Sequence, residues 1–112
     1  MHYICSMSKK EYILRMIIQV IDKTAPDSEV YLYGSQARGT PKTLSDWDLL
    51  ILLNKTPVPF DFETKFMDDF YELELETGEV FSPLIYSKKE WNKNYIFSPL
   101  FENIKNEGVR LK

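Results

Sequence analysis

Residues 33–53 read YGSQARGTPKTLSDWDLLILL, and the fold turns on how this stretch is parsed. Gly34 closes a run of strand-forming residues and permits backbone angles that other residues avoid. At the helical start that follows, the N–H groups of Ser35 and Gln36 can face an anion, with the Ser35 hydroxyl as a further donor. From Trp47 to Leu53 every position except Asp48 is apolar, the pattern of a strand covered on both faces and internal to a sheet. Asp46 and Asp48 stand two apart at its head, so their carboxylates share one face at roughly 6–7 Å, close enough to share a divalent cation. Left alone they repel by about 0.6 kcal/mol at a water dielectric and by about 2.5 kcal/mol at an effective value of 20. Two readings of the pair stay open: a cation site, or a solvated strand end where two aspartates cost little. A phosphate-binding turn and a metal-binding pair meet on a nucleotide, so the stretch predicts metal-dependent nucleotide chemistry.

Upstream, Ser8-Lys9-Lys10-Glu11 is a capping box. Ile13, Met16, Ile17, Val20 and Ile21 then recur at helical spacing to about Asp22. Pro26 and Asp27 mark a turn, and Glu29 to Tyr33 suits a strand. Downstream, Thr40 to Leu44 is a polar loop, and Asn54 to Pro59 is a second loop with two prolines. Asp61 is expected to cap a helix carrying Phe62, Phe66, Phe70 and Leu73, which Gly78 ends. Glu79 to Tyr86 has strand character, with Pro83 arguing for an edge position or a bulge. Ser87-Lys88-Lys89-Glu90 opens a short helix through Trp91, and Ser98-Pro99 starts a last one through Phe101, Ile104 and Lys105 to Gly108. The fold class expected from this order is α/β (α+β): a small mixed β-sheet with helices packed on it, in one domain over residues 1–112.

Bulk composition narrows the function. The chain has 112 residues, 44% of them hydrophobic, and a formal charge of -3, which offers no general attraction to a polyanion and argues against a nucleic-acid partner. Cys5 is the only cysteine and His2 the only histidine, so neither a disulfide, a Cys-rich zinc site nor a core His base can be built. A cytoplasmic location fits. No stretch approaches the roughly 20 apolar residues that cross a bilayer, so no membrane role is expected. Aromatics reach 14%, which leaves two uses for Tyr86, Trp91, Tyr95, Phe97 and Phe101: core, or an aromatic surface for a partner or an oligomer. Trp47 alternates with the aspartates and is expected in the core.

Gly34-Ser35-x-Ala37-Arg38-Gly39 and, after five intervening residues, Ser45-Asp46-x-Asp48-Leu49-Leu50-Ile51 resemble the signature of the polymerase-beta-like nucleotidyltransferase superfamily, specifically its minimal single-domain members. That resemblance implies the corresponding fold, magnesium held by Asp46 and Asp48 as catalytic carboxylates, and triphosphate contacts from Gly34 and Ser35, with Arg38 and Ser45 beside them. The implied reaction is transfer of a nucleoside monophosphate, AMP if the triphosphate is ATP, to an acceptor hydroxyl with release of pyrophosphate. Minimal members similar to this chain often pair with a helical HEPN-type partner as toxin and antitoxin, and some modify that partner with AMP. Arg38 has an alternative role, pairing with a carboxylate to fix its loop, and Lys42 either adds charge near the triphosphate or is an ordinary exposed lysine.

The chain departs from the family pattern at one position. The third carboxylate of such enzymes sits on a later strand, and here that position aligns with Ser82. In two-metal transfer the third carboxylate helps to hold the second cation and can accept the proton of the attacking hydroxyl. Glu79 and Glu76 are the nearest acids, but Glu79 should point to the opposite face of a regular strand. Two functions therefore stand at this stage. One is a nucleotidyltransferase that binds magnesium and a nucleoside triphosphate and modifies a partner protein. The other is a catalytically impaired, nucleotide-binding or antitoxin-like module that neutralises a HEPN-type partner by contact.

Overall fold

A computed structural model describes residues 8–39 and 46–112. Ser45 and Lys42 of the motif, together with His2 and Cys5, lie outside the described residues. The first helix, α1 (Lys9–Thr24), starts at Ser8, whose hydroxyl accepts the Glu11 N–H at 3.1 Å. Its stripe of Ile13, Ile17, Val20 and Ile21 is buried, and each such side chain contributes roughly 1.5–3 kcal/mol through lost water contact. Strand β1 (Glu29–Tyr33) leads directly into the short helix α2 (Gly34–Arg38), which Gly39 ends in a left-handed conformation. Strand β2 (Trp47–Leu53) is followed by α3 (Phe60–Thr77), β3 (Phe81–Ser87), α4 (Lys88–Asn94), α5 (Pro99–Glu107) and β4 (Val109–Arg110).

The sheet is mixed, in the order β3-β2-β1-β4. β2 runs antiparallel to β1 and parallel to β3, while β4 adds antiparallel to β1. Alternation along β2 divides the core in two. Trp47, Leu49, Ile51 and Leu53 join Val30, Leu32 and Phe81 beneath α1 and α3. Leu50 and Leu52 join Trp91 and Ile104 beneath α4 and α5. The apolar run read from sequence as an internal strand is internal because helices cover both of its faces. Pro83 stands on β3, an edge strand, where a missing N–H costs no ladder bond on the outer side.

Three sequence expectations are corrected. Asp61 does not cap α3: the cap is Pro59, extended at φ -64° and ψ 138°, whose carbonyl accepts the N–H groups of Phe62 and Glu63. Asp61 lies in the first turn instead, where its charge favours the positive end of the helix dipole. β3 starts at Phe81 rather than Glu79, because Gly78 ends the helix at φ 75° and Glu79 turns aside to the Trp47 indole. β4 is an addition: its two residues are both exposed, so no hydrophobic alternation announces it. Among the five aromatics left open, Tyr86, Trp91, Tyr95 and Phe101 pack together with ring centroids 4.7–5.6 Å apart. Phe97 is 95% exposed.

Candidate functional site

The fold brings the two halves of the opening stretch to one corner of the sheet. β1 ends and α2 begins at Gly34, held at φ +74°. The β1–β2 register places Tyr33 opposite Asp48, so the turn that follows Tyr33 lies against the carboxylate at the head of β2. The approach is close: a Cβ built on Gly34 would overlap the Asp48 carboxylate oxygen. Glycine is required here on two counts, the backbone angle and the space that Asp48 occupies.

β3 supplies the third side of the corner. In the parallel β2–β3 register Asp48 pairs with Ser82, and residues paired in this way share a face. The Ser82 hydroxyl donates to Oδ2 of Asp46 at 2.9 Å. The position at which resemblance to the family implies a third carboxylate is thus adjacent to the aspartate pair and carries a hydroxyl. Among the described residues there is no group of three or more His, Cys, Asp or Glu side chains placed to hold a metal ion.

The electrostatics favour a cation at this corner. Burial pushes the Asp48 carboxyl up from its ordinary pKa, the negative charge of Asp46 pushes it further, and Arg38 opposes both. Burial, and then the Asp48 charge, lifts the Tyr33 hydroxyl up to about 12, so it stays protonated at neutral pH. Positive charge next to Asp48 would therefore relieve an unfavourable ionisation.

Arg38 reaches Glu107 of α5, its Nη1 lying 2.8 Å from the carboxylate, with both side chains partly exposed. The pair ties the end of the Gly-Ser turn to the last helix. Neither Glu107 nor Tyr33 was singled out from sequence. The first lies in a polar helix end without a pattern, and the second becomes a neighbour of Asp48 only through strand register. The Ser35 hydroxyl, half-buried at the start of α2, has no hydrogen-bond partner among the described residues.

The remaining acids stand elsewhere. Glu79 accepts a 2.9 Å bond from the Trp47 indole and pairs with Lys9 at 3.2 Å. The Trp47 bond, then Lys9, hold its carboxyl below the usual range against the effect of burial. It belongs to the Trp47 face, opposite Asp48. Glu76 is exposed on α3, beside the groove that α3 forms with Met16, Gln19 and Lys23 of α1.

The sequence profile of the family described as "Nucleotidyltransferase domain" matches residues 14–106, a span that includes Gly34, both aspartates and Ser82. No curated protein matches the chain at a significant level. Among solved structures, the chain is similar to one described as a toxin-antitoxin with AMP-PNP, with a TM-score of 0.65 and 17% identity over 88% of this chain and 72% of that one. It is also similar to two mutants of the toxin-antitoxin MntA-HpeT, with TM-scores of 0.64 and 0.61, identities of 15% and 17%, and 88% of this chain covered against 72% and 70% of theirs. At these identities the likeness is one of fold.

Proposed function

The chain belongs to the nucleotidyltransferase domain family, and from that premise we propose that it is a nucleotide-binding, antitoxin-like module that neutralises a helical HEPN-type partner by contact. A nucleoside triphosphate, ATP in this proposal, binds with its phosphates at Gly34 and Ser35 and its charge facing Asp46 and Asp48. Ser82 is the observation that carries the choice. It occupies the strand position beside Asp48 with a hydroxyl, which cannot accept a proton from an attacking nucleophile as a carboxylate does. Neither Glu79 nor Glu76 replaces it, since one is held by Trp47 on the other face and the other lies on the outer helix layer. The likeness to structures described as toxin-antitoxin supports the pairing, and the AMP-PNP named for one of them supports the nucleotide.

The residues suit one magnesium ion. Asp46 and Asp48 are hard oxygen donors on one face, and the Asp48 carboxyl is raised first by burial and then by the Asp46 charge, an ionisation that a cation beside it would ease. When bound there, magnesium would neutralise the carboxylate pair and the triphosphate it escorts. Ser82 donates to Asp46 at the same corner, Gly34 leaves room for the Asp48 carboxylate, and the Ser35 hydroxyl would supply a donor to phosphate.

A second reading, nucleotidyl transfer to a partner hydroxyl, is favoured by the intact Asp46 and Asp48 pair. Calorimetric titration with ATP, with and without magnesium, tests what both readings share, with Asp48→Asn expected to lose the magnesium-dependent part. Incubation of chain and partner with α-labelled ATP separates them. Label on a partner side chain that disappears in Asp46→Asn overturns the contact reading, whereas an unlabelled but neutralised partner supports it.

A further inference from the structure

We propose that the outer face of α3 is a docking surface for a basic amphipathic helix of a partner protein. α3 buries Phe66, Phe70 and Leu73 in the core, yet Phe60, Met67, Tyr71 and Leu75 are exposed at 81%, 44%, 61% and 70%. At 100° per residue these four fall within one stripe on the far side of the helix. The stripe extends about 22 Å at 1.5 Å per residue. Single exposed apolar side chains are ordinary on a protein surface, but Met67, Tyr71 and Leu75 follow one another at four-residue spacing, with Phe60 two turns before Met67 across Thr64, and such a row marks a contact site.

What borders the stripe selects its occupant. Asp61, Asp68 and Glu72 line one side and Glu63 lies on the other, while Glu74 turns away to accept the Phe81 N–H at 2.8 Å. Between Phe60 and Thr77 there are seven carboxylates against one lysine, and that Lys65 is paired with Asp69 at 3.5 Å. A shallow groove of about 490 Å³ follows the first border from Phe60 to Glu72, lined by Asp61, Asp68, Asp69 and Glu72. A second copy docked α3 against α3 would set carboxylates against carboxylates along the contact. A helix with an apolar seam and basic borders satisfies the stripe together with the carboxylates of Asp61, Asp68, Glu72 and Glu63. This inference deepens the contact reading by naming its surface, and rests on that reading only for the partner's place in the pair. Peptide binding probes α3 while nucleotide titration probes the Asp48 corner, so the two can fail separately.

The test uses the full chain and two synthetic 18-residue helices with leucine along one seam, bordered by lysine in one peptide and by glutamate in its twin. Fluorescence anisotropy is expected to show the lysine peptide binding at least about tenfold more tightly than the twin, and more weakly as salt rises. The double variant Tyr71→Ser with Leu75→Ser should abolish binding while leaving circular dichroism and Tm unchanged, because both side chains are mostly exposed. Asp68→Lys with Glu72→Lys should reverse the preference between the peptides. Equal binding of the two peptides overturns the proposal, as does binding that survives the serine variant. A wild-type dimer in sedimentation that the serine variant dissolves also overturns it, since the occupant would then be a second copy.

Discussion

The Ser82 hydroxyl donates to Oδ2 of Asp46 at 2.9 Å, while strand register sets the same Ser82 beside Asp48. One side chain thus spans both members of the aspartate pair from the neighbouring strand. It neutralises neither. Two carboxylates and a hydroxyl meet at this corner, and the consequences of altering each part can be stated.

Ser82→Asp places a third carboxylate on this corner. In metal-free buffer it should lower stability by up to about 1 kcal/mol through like-charge repulsion, discounted for the exposure of Asp46. Added magnesium should then raise its Tm by more than it raises that of the wild type. Equal magnesium shifts in thermal unfolding would mean that Ser82 does not occupy a metal-facing position.

Asp48→Asn tests the raised carboxyl pKa. Burial and the Asp46 charge raise the folded value above the unfolded one. The folded state therefore binds the proton more tightly, and stability falls as pH rises from the unfolded pKa through the folded one. Above that window ionised Asp48 costs stability, and below about pH 4 the cost is absent. The asparagine variant should be more stable at pH 7, by no more than about 1 kcal/mol after solvent screening, and should converge with the wild type near pH 4. A difference that grows toward low pH contradicts this assignment.

Gly34→Ala and Gly39→Ala separate strain from crowding. Both glycines have a φ near +75°, but an added Cβ meets Asp48 at Gly34 and nothing at Gly39. Gly39→Ala should cost about 1–2 kcal/mol for the left-handed backbone alone. Gly34→Ala should cost more and also weaken ATP binding. In an Asp48→Ala background the two losses should become similar; a gap that persists in denaturant unfolding would place the crowding elsewhere.

Arg38 and Glu107 connect α2 to α5 across the surface. A double-mutant cycle with Arg38→Ala and Glu107→Ala should return a coupling of about 0.2–1 kcal/mol that shrinks with salt, as for a partly exposed pair. Additive losses in the cycle would show that the contact contributes nothing.

Phe66 and Tyr71 lie five residues apart on α3, the first fully buried and the second 61% exposed. Phe66→Ala should cost about 3–5 kcal/mol by opening a cavity between α1, α3 and the sheet. Tyr71→Ser should stay within about 0.5 kcal/mol of the wild type. Comparable losses by chemical denaturation would mean that α3 packs with its other face inward.

Local chemistry made much of this legible beforehand. Ser8, Ser87 and Ser98 each cap the helix they were expected to cap, because a hydroxyl satisfies a free N–H within three residues and needs nothing distant. The apolar run of β2 and the glycine after β1 were visible for the same reason. Asp61 misled because proline competes for the cap position through its fixed backbone angle, which residue preference for side-chain caps does not weigh. β4 was invisible because a two-residue exposed strand is defined only by the neighbour it pairs with.

Residue order along the chain was enough to set Gly34 before a helix, Asp46 and Asp48 on one side of an apolar strand, and a hydroxyl where a carboxylate was expected. The glycine and the aspartates depend on dihedral preference and on a side-chain period of two, both properties of a few consecutive residues, whereas the hydroxyl stands out only against the pattern of the family that the chain resembles. Which partners they meet depends on register and on which helices cover which face. Register brought Ser82 onto Asp46 and Tyr33 beside Asp48, carried Glu79 to the Trp47 face, and joined Arg38 to Glu107 across 69 positions of sequence. Packing likewise settled that Phe66 and Phe70 turn inward while Met67 and Tyr71 are left on the surface. Only the folded sheet decides these pairings, because contacts between distant residues follow from where whole strands and helices come to rest.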